Sequence, residues 1–153
     1  MLVETTTDEE IPSRLRGAPS WLMTQAATHA HRLVSEGFAA AGARGYHYRL
    51  LAALEEFGPS SQAALGRRTN IDRSYVVGAV NELASDELVE RARNPEDRRR
   101  NIVTITPAGV RKLRRLDVVL AGTQDELLAP LSTDERDELA RLLRRVLDHH
   151  LAG

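Results

Sequence analysis

The sequence predicts a mainly α-helical protein with a single small β-hairpin. Apolar residues recur at helical spacing on both sides of the middle of the chain, whereas residues 101–105 alternate β-branched and polar side chains as a strand does. Of the 153 residues, 42% are hydrophobic, which is enough to form a folded core. At this length we expect one domain, or one domain with an extended element.

Composition excludes several classes of protein. No apolar run approaches the ~18 residues that a membrane span needs. Residues 1–10 are polar and acidic and lack the basic and apolar regions of a secretory signal. We therefore expect a soluble, cytoplasmic protein without a membrane partner. Cysteine is absent, which excludes disulfides, thiolate metal sites and cysteine redox switches.

The first third of the chain is predicted to hold a tail and two amphipathic helices. Residues 1–17 lack periodicity, so we expect a flexible tail or arm. Pro19 and Ser20 open the first helix, Gly42 and Gly45 bracket a break, and Gly58-Pro59 stops the second helix. The apolar positions expected to face inward are Trp21, Leu22, Ala26, Ala30, Leu33, Val34 and Phe38, followed by Tyr46, Leu50, Leu51, Leu54 and Phe57.

Two shorter helices are predicted next, joined by the polar turn of residues 67–70. Ser60 or Ser61 can cap the first of them. Asp72 can cap the second by accepting from amides of its first turn, and its charge suits the positive end of the helix dipole. The residues expected inside are Ala64 and Leu65, then Val76, Val77 or Val80, and Leu83; those expected outside are Arg73, Ser74, Tyr75, Gly78 and Asn81.

A β-hairpin and two long helices complete the chain. Residues 88–93 and 101–105 alternate as strands around the turn residues 94–97. Thr106-Pro107 starts a helix that Pro130 ends, and Ser132 with Glu135 forms a capping box for the last helix, where Leu131 is placed for a hydrophobic staple. The apolar positions available for burial are Val110, Leu113, Leu116, Leu120, Leu127 and Leu128, followed by Leu139, Leu142, Leu143, Val146 and Leu147.

The order of short helix, turn, second helix and hairpin is that of a winged helix-turn-helix. The second helix of such a pair enters the major groove, because that groove admits a helix and displays an unambiguous base code. Residues 60–116 carry a net charge of +5 (12 basic, 7 acidic), against −2 for residues 1–59 (5 basic, 7 acidic) and −4 for residues 117–153 (4 basic, 8 acidic). A basic middle segment fits a polyanionic partner, and chance fluctuation of charge is the alternative.

We expect double-stranded DNA as this partner. Ser74, Tyr75 and Asn81 can reach base edges, whereas Arg73 is better placed for phosphate. Gly78 costs a helix about 1 kcal/mol relative to alanine, so we expect a packing or close-approach reason for it. Arginine suits the narrow minor groove because it is weakly hydrated and always charged. The other predicted contacts are Ser61 and Gln62, which either hold phosphate or merely begin a helix, and Asp97, Arg98, Arg99 and Arg100 at the hairpin tip.

Short motifs between residues 71 and 109 carry a family resemblance. They are Ile71-Asp72-Arg73-Ser74, Leu83, Leu88-Val89-Glu90-Arg91, Asn94-Pro95-Glu96-Asp97-Arg98-Arg99-Arg100 and Val103-Thr104-Ile105-Thr106-Pro107-Ala108-Gly109. This run resembles the MarR (multiple antibiotic resistance regulator) family of winged-helix transcription factors. The Asp-x-Arg tip combined with the Thr-x-x-Gly helix start, at this separation, is a fairly specific signal. The predicted helices on either side match those of the family in length and order, so the resemblance extends from about Ser20 to the end of the sequence.

The resemblance implies a homodimer. Residues 18–44 and 107–153 would contain the dimerisation helices, and residues 45–106 would form the DNA-binding lobe. Arg99 would contact the minor groove, and Asp97 would orient its guanidinium group through a charge-assisted bond. Tyr75, Val77 and Gly78 depart from the residues that many relatives have there, which leaves the base preference open. Small aromatic anions often bind between the two regions in this family, and the candidate residues are Trp21, His29, Tyr46, His47 and Arg49, with packing or dimer contact as the alternative.

The expected function is that of a homodimeric repressor of a pseudo-palindromic operator, released by a small aromatic or anionic ligand. We expect no enzyme and no cofactor, because no glycine-rich phosphate loop, nucleophile elbow or His-Glu-x-x-His motif is present. We also expect no metal site, because His29 and His31 cannot share a helix face and His149 is next to His150 at a helix end. The alternative is a helical protein-interaction module that keeps a winged helix without sequence-specific DNA binding.

Overall fold

The computed structural model describes residues 10–97 and 101–153 and confirms a mainly helical fold with a small sheet. The helices in these ranges are α1 (Ser13–Arg16), α2 (Pro19–Ala40), α3 (Gly45–Phe57), α4 (Gln62–Thr69), α5 (Arg73–Ser85), α6 (Pro107–Leu127) and α7 (Thr133–Leu151). The strands are β1 (Ser60–Ser61), β2 (Val89–Arg93) and β3 (Asn101–Ile105).

The predicted capping residues begin the last two helices. Thr106 Oγ1 accepts from the Gly109 N–H at 3.0 Å at the start of α6. Ser132 and Glu135 form the predicted capping box of α7, with bonds of 3.2 and 2.9 Å. Gly58 has a φ of +78°, a conformation that glycine adopts readily, and it ends α3 as predicted.

The sheet has the order β1-β3-β2 and is antiparallel throughout. The predicted hairpin is confirmed, with Val89 opposite Ile105 and Arg93 opposite Asn101. Strand β1 was not predicted: Ser60 pairs with Val103 in addition to preceding α4. Two residues are too few to show an alternating pattern, so the sequence did not indicate a strand here. The pairing ties the hairpin to the start of α4.

The hydrophobic core lies between α3, α4, α5 and the sheet, and α6 packs against α2 and α3. The start of α6 comes so close to the start of β2 that a Cβ atom at Gly109 would lie 2.1 Å from the Leu88 carbonyl oxygen. Only glycine fits at this contact. The large, fully buried side chains are Phe38, Leu50, Leu51, Leu54, Leu65, Val76, Val80, Leu83, Val103 and Leu116.

Several residues expected inside lie outside, among them Leu22 and Ala26 of α2. Phe57 is 53% exposed because it is the last residue of α3, and its ring contacts the Arg68 guanidinium group, 4.6 Å from the ring centroid. Val77 is 41% exposed, while Val76 and Val80 are fully buried. The core therefore uses Val80, and Val77 belongs to the outer surface of α5.

The ends of the described chain differ in how well they pack. The stretch expected to be a tail contains α1, which packs against α2. Helix α7 carries no buried residue within the described part of this single chain. Its apolar positions are instead exposed or half-buried, and the exposed ones are Leu142, Leu143, Val146, Leu147 and Leu151.

Candidate nucleic-acid interface

The outer face of α5 is exposed as the sequence predicts. Arg73, Ser74, Tyr75, Gly78 and Asn81 are all exposed, and the opposite face holds Val76, Ala79, Val80 and Leu83 in the core. Among the described residues, no atom lies within 4 Å of a Cβ atom built at Gly78. Packing among the described residues therefore does not explain this glycine, and close approach by another molecule stays a prediction.

The start of α5 is fixed by Asp72. Its carboxylate accepts from the backbone N–H of Ser74 at 3.0 Å and from the Ser74 hydroxyl at 2.7 Å. These two bonds hold the pKa of Asp72 below its ordinary value, and the bond from the Ser74 hydroxyl has the larger effect. The Ser74 hydroxyl proton is thus engaged within the chain, although its oxygen can still accept a hydrogen bond.

Ser61 and Gln62 lie at the start of α4. Ser61 Oγ accepts from the Ala64 N–H at 3.1 Å, which is the capping role, and both residues are half-buried. The neighbouring Ser60 hydroxyl accepts from Arg68 at 3.0 Å and donates to the Gly58 carbonyl at 2.9 Å. Contact of Ser61 or Gln62 with phosphate stays a prediction.

The hairpin contacts α5 directly. The Arg91 guanidinium group of β2 donates a hydrogen bond to Asn81 Oδ1 of α5. This contact could not be predicted from the sequence, because it depends on how β2 lies against α5. At the far end of the hairpin, the backbone N–H groups of Glu96 and Asp97 bond to Asn94 at 3.0 and 3.2 Å and form a turn. Arg98, Arg99 and Arg100 lie outside the described residues, so their predicted DNA contacts stay predictions.

Tyr75 of α5 packs on α3. Its ring centroid lies 5.7 Å from that of Tyr46, and the Arg49 guanidinium carbon lies 5.4 Å from the Tyr46 centroid. Arg49 also donates to the Thr69 carbonyl oxygen, the last residue of α4, at 3.0 Å. Two candidate ligand-binding residues of α3 therefore contact both helices of the helix-turn-helix.

His47 forms a second connection between α3 and α5. Its Nε2 lies 2.8 Å from the Glu82 carboxylate of α5, and its Nδ1 accepts from the Arg44 backbone N–H at 3.2 Å. The Arg44 guanidinium group lies 3.5 Å from the same carboxylate. The backbone donor at Nδ1 places the imidazole proton on Nε2, so His47 donates to Glu82.

A cleft of about 510 Å³, which we call the α2–α3 cleft, lies beside this region. Of the candidate ligand-binding residues, Tyr46 and Arg49 line this cleft. Trp21 and His29 lie elsewhere on α2, and His47 lines neighbouring depressions instead. His31 lines the cleft and was missed. A signal existed, because His31 precedes Phe38 by seven residues and so shares its helix face. The other lining residues are Val34, Ser35, Phe38, Ala39, Ala43, Arg44, Gly45, Tyr48 and Leu120.

Two other kinds of feature are absent among the described residues. Within residues 10–97 and 101–153, no group of three His, Asp or Glu side chains converges as metal ligands would. In the same ranges, no helix is both long enough and apolar enough to span a lipid bilayer.

Comparisons with known proteins agree with this geometry. The family model described as MarR family matches residues 42–100. The HTH-type transcriptional repressor NicR of Pseudomonas putida is 35% identical over 98 residues, which are 64% of this chain and 62% of that protein. The chain thus spans less than two thirds of the length of this curated relative. That the relatives are regulators supports the expectation that the chain is not an enzyme.

Solved structures match over most of the chain. The crystal structure of a probable transcriptional regulator from Pseudomonas aeruginosa has a TM-score of 0.75 and 32% identity, covering 87% of this chain and 99% of that one. The PcaV transcriptional regulator from Streptomyces coelicolor, in complex with its natural ligand, has a TM-score of 0.73 and 29% identity, covering 90% of this chain and 97% of that one. The family model, these similarities and the winged helix-turn-helix geometry together establish that the chain belongs to the MarR family.

Proposed function

We propose that the chain is a homodimeric transcription regulator that binds double-stranded DNA through α5 and the β2–β3 hairpin. The contact between Arg91 and Asn81 carries this proposal, because it holds the hairpin beside the exposed face of α5. A helix and a hairpin held side by side can occupy a major groove and the flanking minor groove together. The net charge of +5 on residues 60–116 supplies the attraction for phosphate.

Repression of a pseudo-palindromic operator is the regulatory outcome that we propose. The similar Pseudomonas putida protein is named a transcriptional repressor, and this supports repression here. In a two-fold symmetric dimer the two copies of α5 should enter major grooves about 34–36 Å apart, which corresponds to one helical turn of DNA. An operator with two related half-sites follows from this symmetry.

We further propose that a small aromatic anion in the α2–α3 cleft releases the DNA. The cleft combines the cationic Arg44 and Arg49 with the apolar side chains of Val34, Phe38 and Leu120, which suits an aromatic ring bearing a carboxylate. The solved complex of PcaV with its natural ligand supports ligand control in a similar fold. Such a ligand would act by favouring a dimer whose two α5 helices are wrongly spaced for DNA.

The experiment that tests DNA binding is selection of bound duplexes from a random pool, followed by titration of Arg99→Ala. We expect Arg99→Ala to weaken binding of the selected duplex at least tenfold while the fold is kept. Arg145→Ala removes the same charge from exposed α7 and is the matched control, which should bind as the wild type does. Binding should also fall steeply between low and moderate salt. Equal affinities for wild type and Arg99→Ala would overturn the wing assignment, and binding without salt dependence would favour a protein-interaction module.

A further inference from the structure

We propose that Val77 reads thymine in the major groove by contact with the 5-methyl group, and that Gly78 beside it allows α5 to lie close to the base edges. The inference rests on the proposed DNA binding and adds a sequence preference to it. It concerns two of the three α5 positions at which the sequence departs from the common pattern of its family.

The first observation is the exposure of Val77. Its side chain is 41% exposed on a helix whose other valines are fully buried. Residues three and four apart are neighbours on a helix surface, so Val77 lies next to Arg73, Ser74 and Asn81. An apolar, β-branched side chain thus lies among the polar groups that are expected to face DNA.

The second observation is that two of these polar neighbours are already engaged. The Ser74 hydroxyl donates to Asp72 at 2.7 Å, and Asn81 Oδ1 accepts from Arg91. A bidentate contact of asparagine with adenine needs both Oδ1 and Nδ2, and the Arg91 bond occupies one of the two lone pairs of Oδ1. Hydrogen-bond reading by this face is therefore limited, and a larger share of base discrimination falls to apolar contact.

The third observation is the open space at Gly78. Among the described residues nothing lies within 4 Å of a Cβ atom built there, and the residue is not one of the glycines with positive φ. Neither packing among the described residues nor the backbone conformation at this position requires glycine. Because glycine has no side chain, the floor of a DNA groove can instead approach α5 more closely beside Val77.

The chemistry of the groove selects the base. Valine can neither donate nor accept a hydrogen bond, so it cannot distinguish bases through their polar edges. The major groove of DNA offers one apolar group on its floor, the 5-methyl group of thymine. An exposed valine that faces this groove therefore increases the affinity of the protein for DNA where it contacts a thymine methyl group.

Replacement of thymine by uracil removes only this methyl group and tests the proposal. The operator is first selected from a random pool with the full chain, and each thymine in turn is then replaced by uracil for anisotropy titrations. We expect one position per half-site at which uracil weakens wild-type binding about fourfold, the effect of losing one buried methyl group.

The Val77→Ala variant identifies the residue responsible. We expect it to bind the thymine and uracil duplexes equally, whereas Val118→Ala, the same change at an exposed valine of α6, should keep the fourfold difference. Gly78→Ala should weaken both duplexes by the same factor. A wild type that is insensitive to uracil at every position, or a Val77→Ala variant that keeps the difference, would overturn the proposal while leaving DNA binding intact. A pool from which no sequence is enriched would overturn the proposed function as well.

Discussion

The Tyr48 hydroxyl group links α3 to α6 at the scale of a single residue. It donates to Asp117 Oδ1 at 2.7 Å, and the Tyr48 ring stacks on Phe38 of α2 with centroids 5.3 Å apart. Burial, then the hydrogen bond to Asp117 and the negative charge of that carboxylate, raises the pKa of Tyr48 to about 12. The folded protein therefore favours the neutral hydroxyl more strongly than the unfolded chain does.

Tyr48→Phe should remove a pH-dependent part of the stability. Because the folded pKa lies above the ordinary value of 10.0, the contribution is fully present below pH 10 and is lost as the pH rises through about 12. We expect the free energy of unfolding of the wild type, measured in urea, to exceed that of the Tyr48→Phe variant by about 1 kcal/mol at neutral pH. This difference should shrink as the pH rises above 10. Tyr75→Phe, at an exposed ring, is the control and should follow the wild type. A difference that does not change with pH would contradict this role.

At the scale of elements, α3 separates the α2–α3 cleft from the DNA-binding surface. Tyr46 lines the cleft and also contacts Tyr75 of α5, while Arg49 lines the cleft and bonds to the Thr69 carbonyl of α4. We expect a ligand carboxylate that binds the Arg49 guanidinium group to compete with this carbonyl oxygen. Because α4 and α5 are joined only by a short turn, we expect a change at Thr69 to reach the start of α5.

Calorimetry with salicylate as the probe tests this role of α3. We expect millimolar salicylate to weaken operator binding by the wild type about 5- to 150-fold, the usual range of allosteric coupling, and operator DNA to weaken salicylate binding by the same factor. Arg49→Met removes the donors while keeping much of the apolar stem, and should weaken salicylate binding at least tenfold. Arg32→Met, at an arginine paired with Glu36 on α2, is the matched control. The absence of heat with the wild type, or unchanged binding by Arg49→Met, would argue against the cleft as an anion site.

The long elements could be predicted from the sequence because their periodicity and capping residues agree. The hydroxyls of Thr106 and Ser132 cap the helices that they were expected to cap, and the outer face of α5 follows from helical spacing. Strand β1 and helix α1 could not be predicted, because two or four residues carry no measurable period. The contacts of Tyr75 with Tyr46 and of Arg91 with Asn81 also escaped prediction, since they join elements that are distant in sequence and depend on packing.

At the scale of the whole molecule, a single chain leaves much apolar surface on its long helices uncovered. Helix α7 has no buried residue in the described chain, and Leu22 and Met23 of α2 are exposed as well. Apolar residues recur along α7 at helical spacing, so they form one continuous face. A second copy of the chain is the partner that we propose for this face, because a two-fold symmetric dimer covers the same apolar face on both copies at once.

Leu143→Glu should separate the proposed dimer, since it places a charge on the apolar face of α7. Losing one buried leucine from each copy costs roughly 3–6 kcal/mol, which raises the dimer dissociation constant about 100-fold or more. Arg144→Glu introduces the same residue one position further along, on the polar face of α7, and is the matched control. Sedimentation velocity at micromolar concentration should give a dimer for the wild type and Arg144→Glu and a monomer for Leu143→Glu. Because a monomer contacts one half-site, the Leu143→Glu variant should also bind the full operator with no higher affinity than a single half-site. A Leu143→Glu variant that is still a dimer would show that α7 is not the interface.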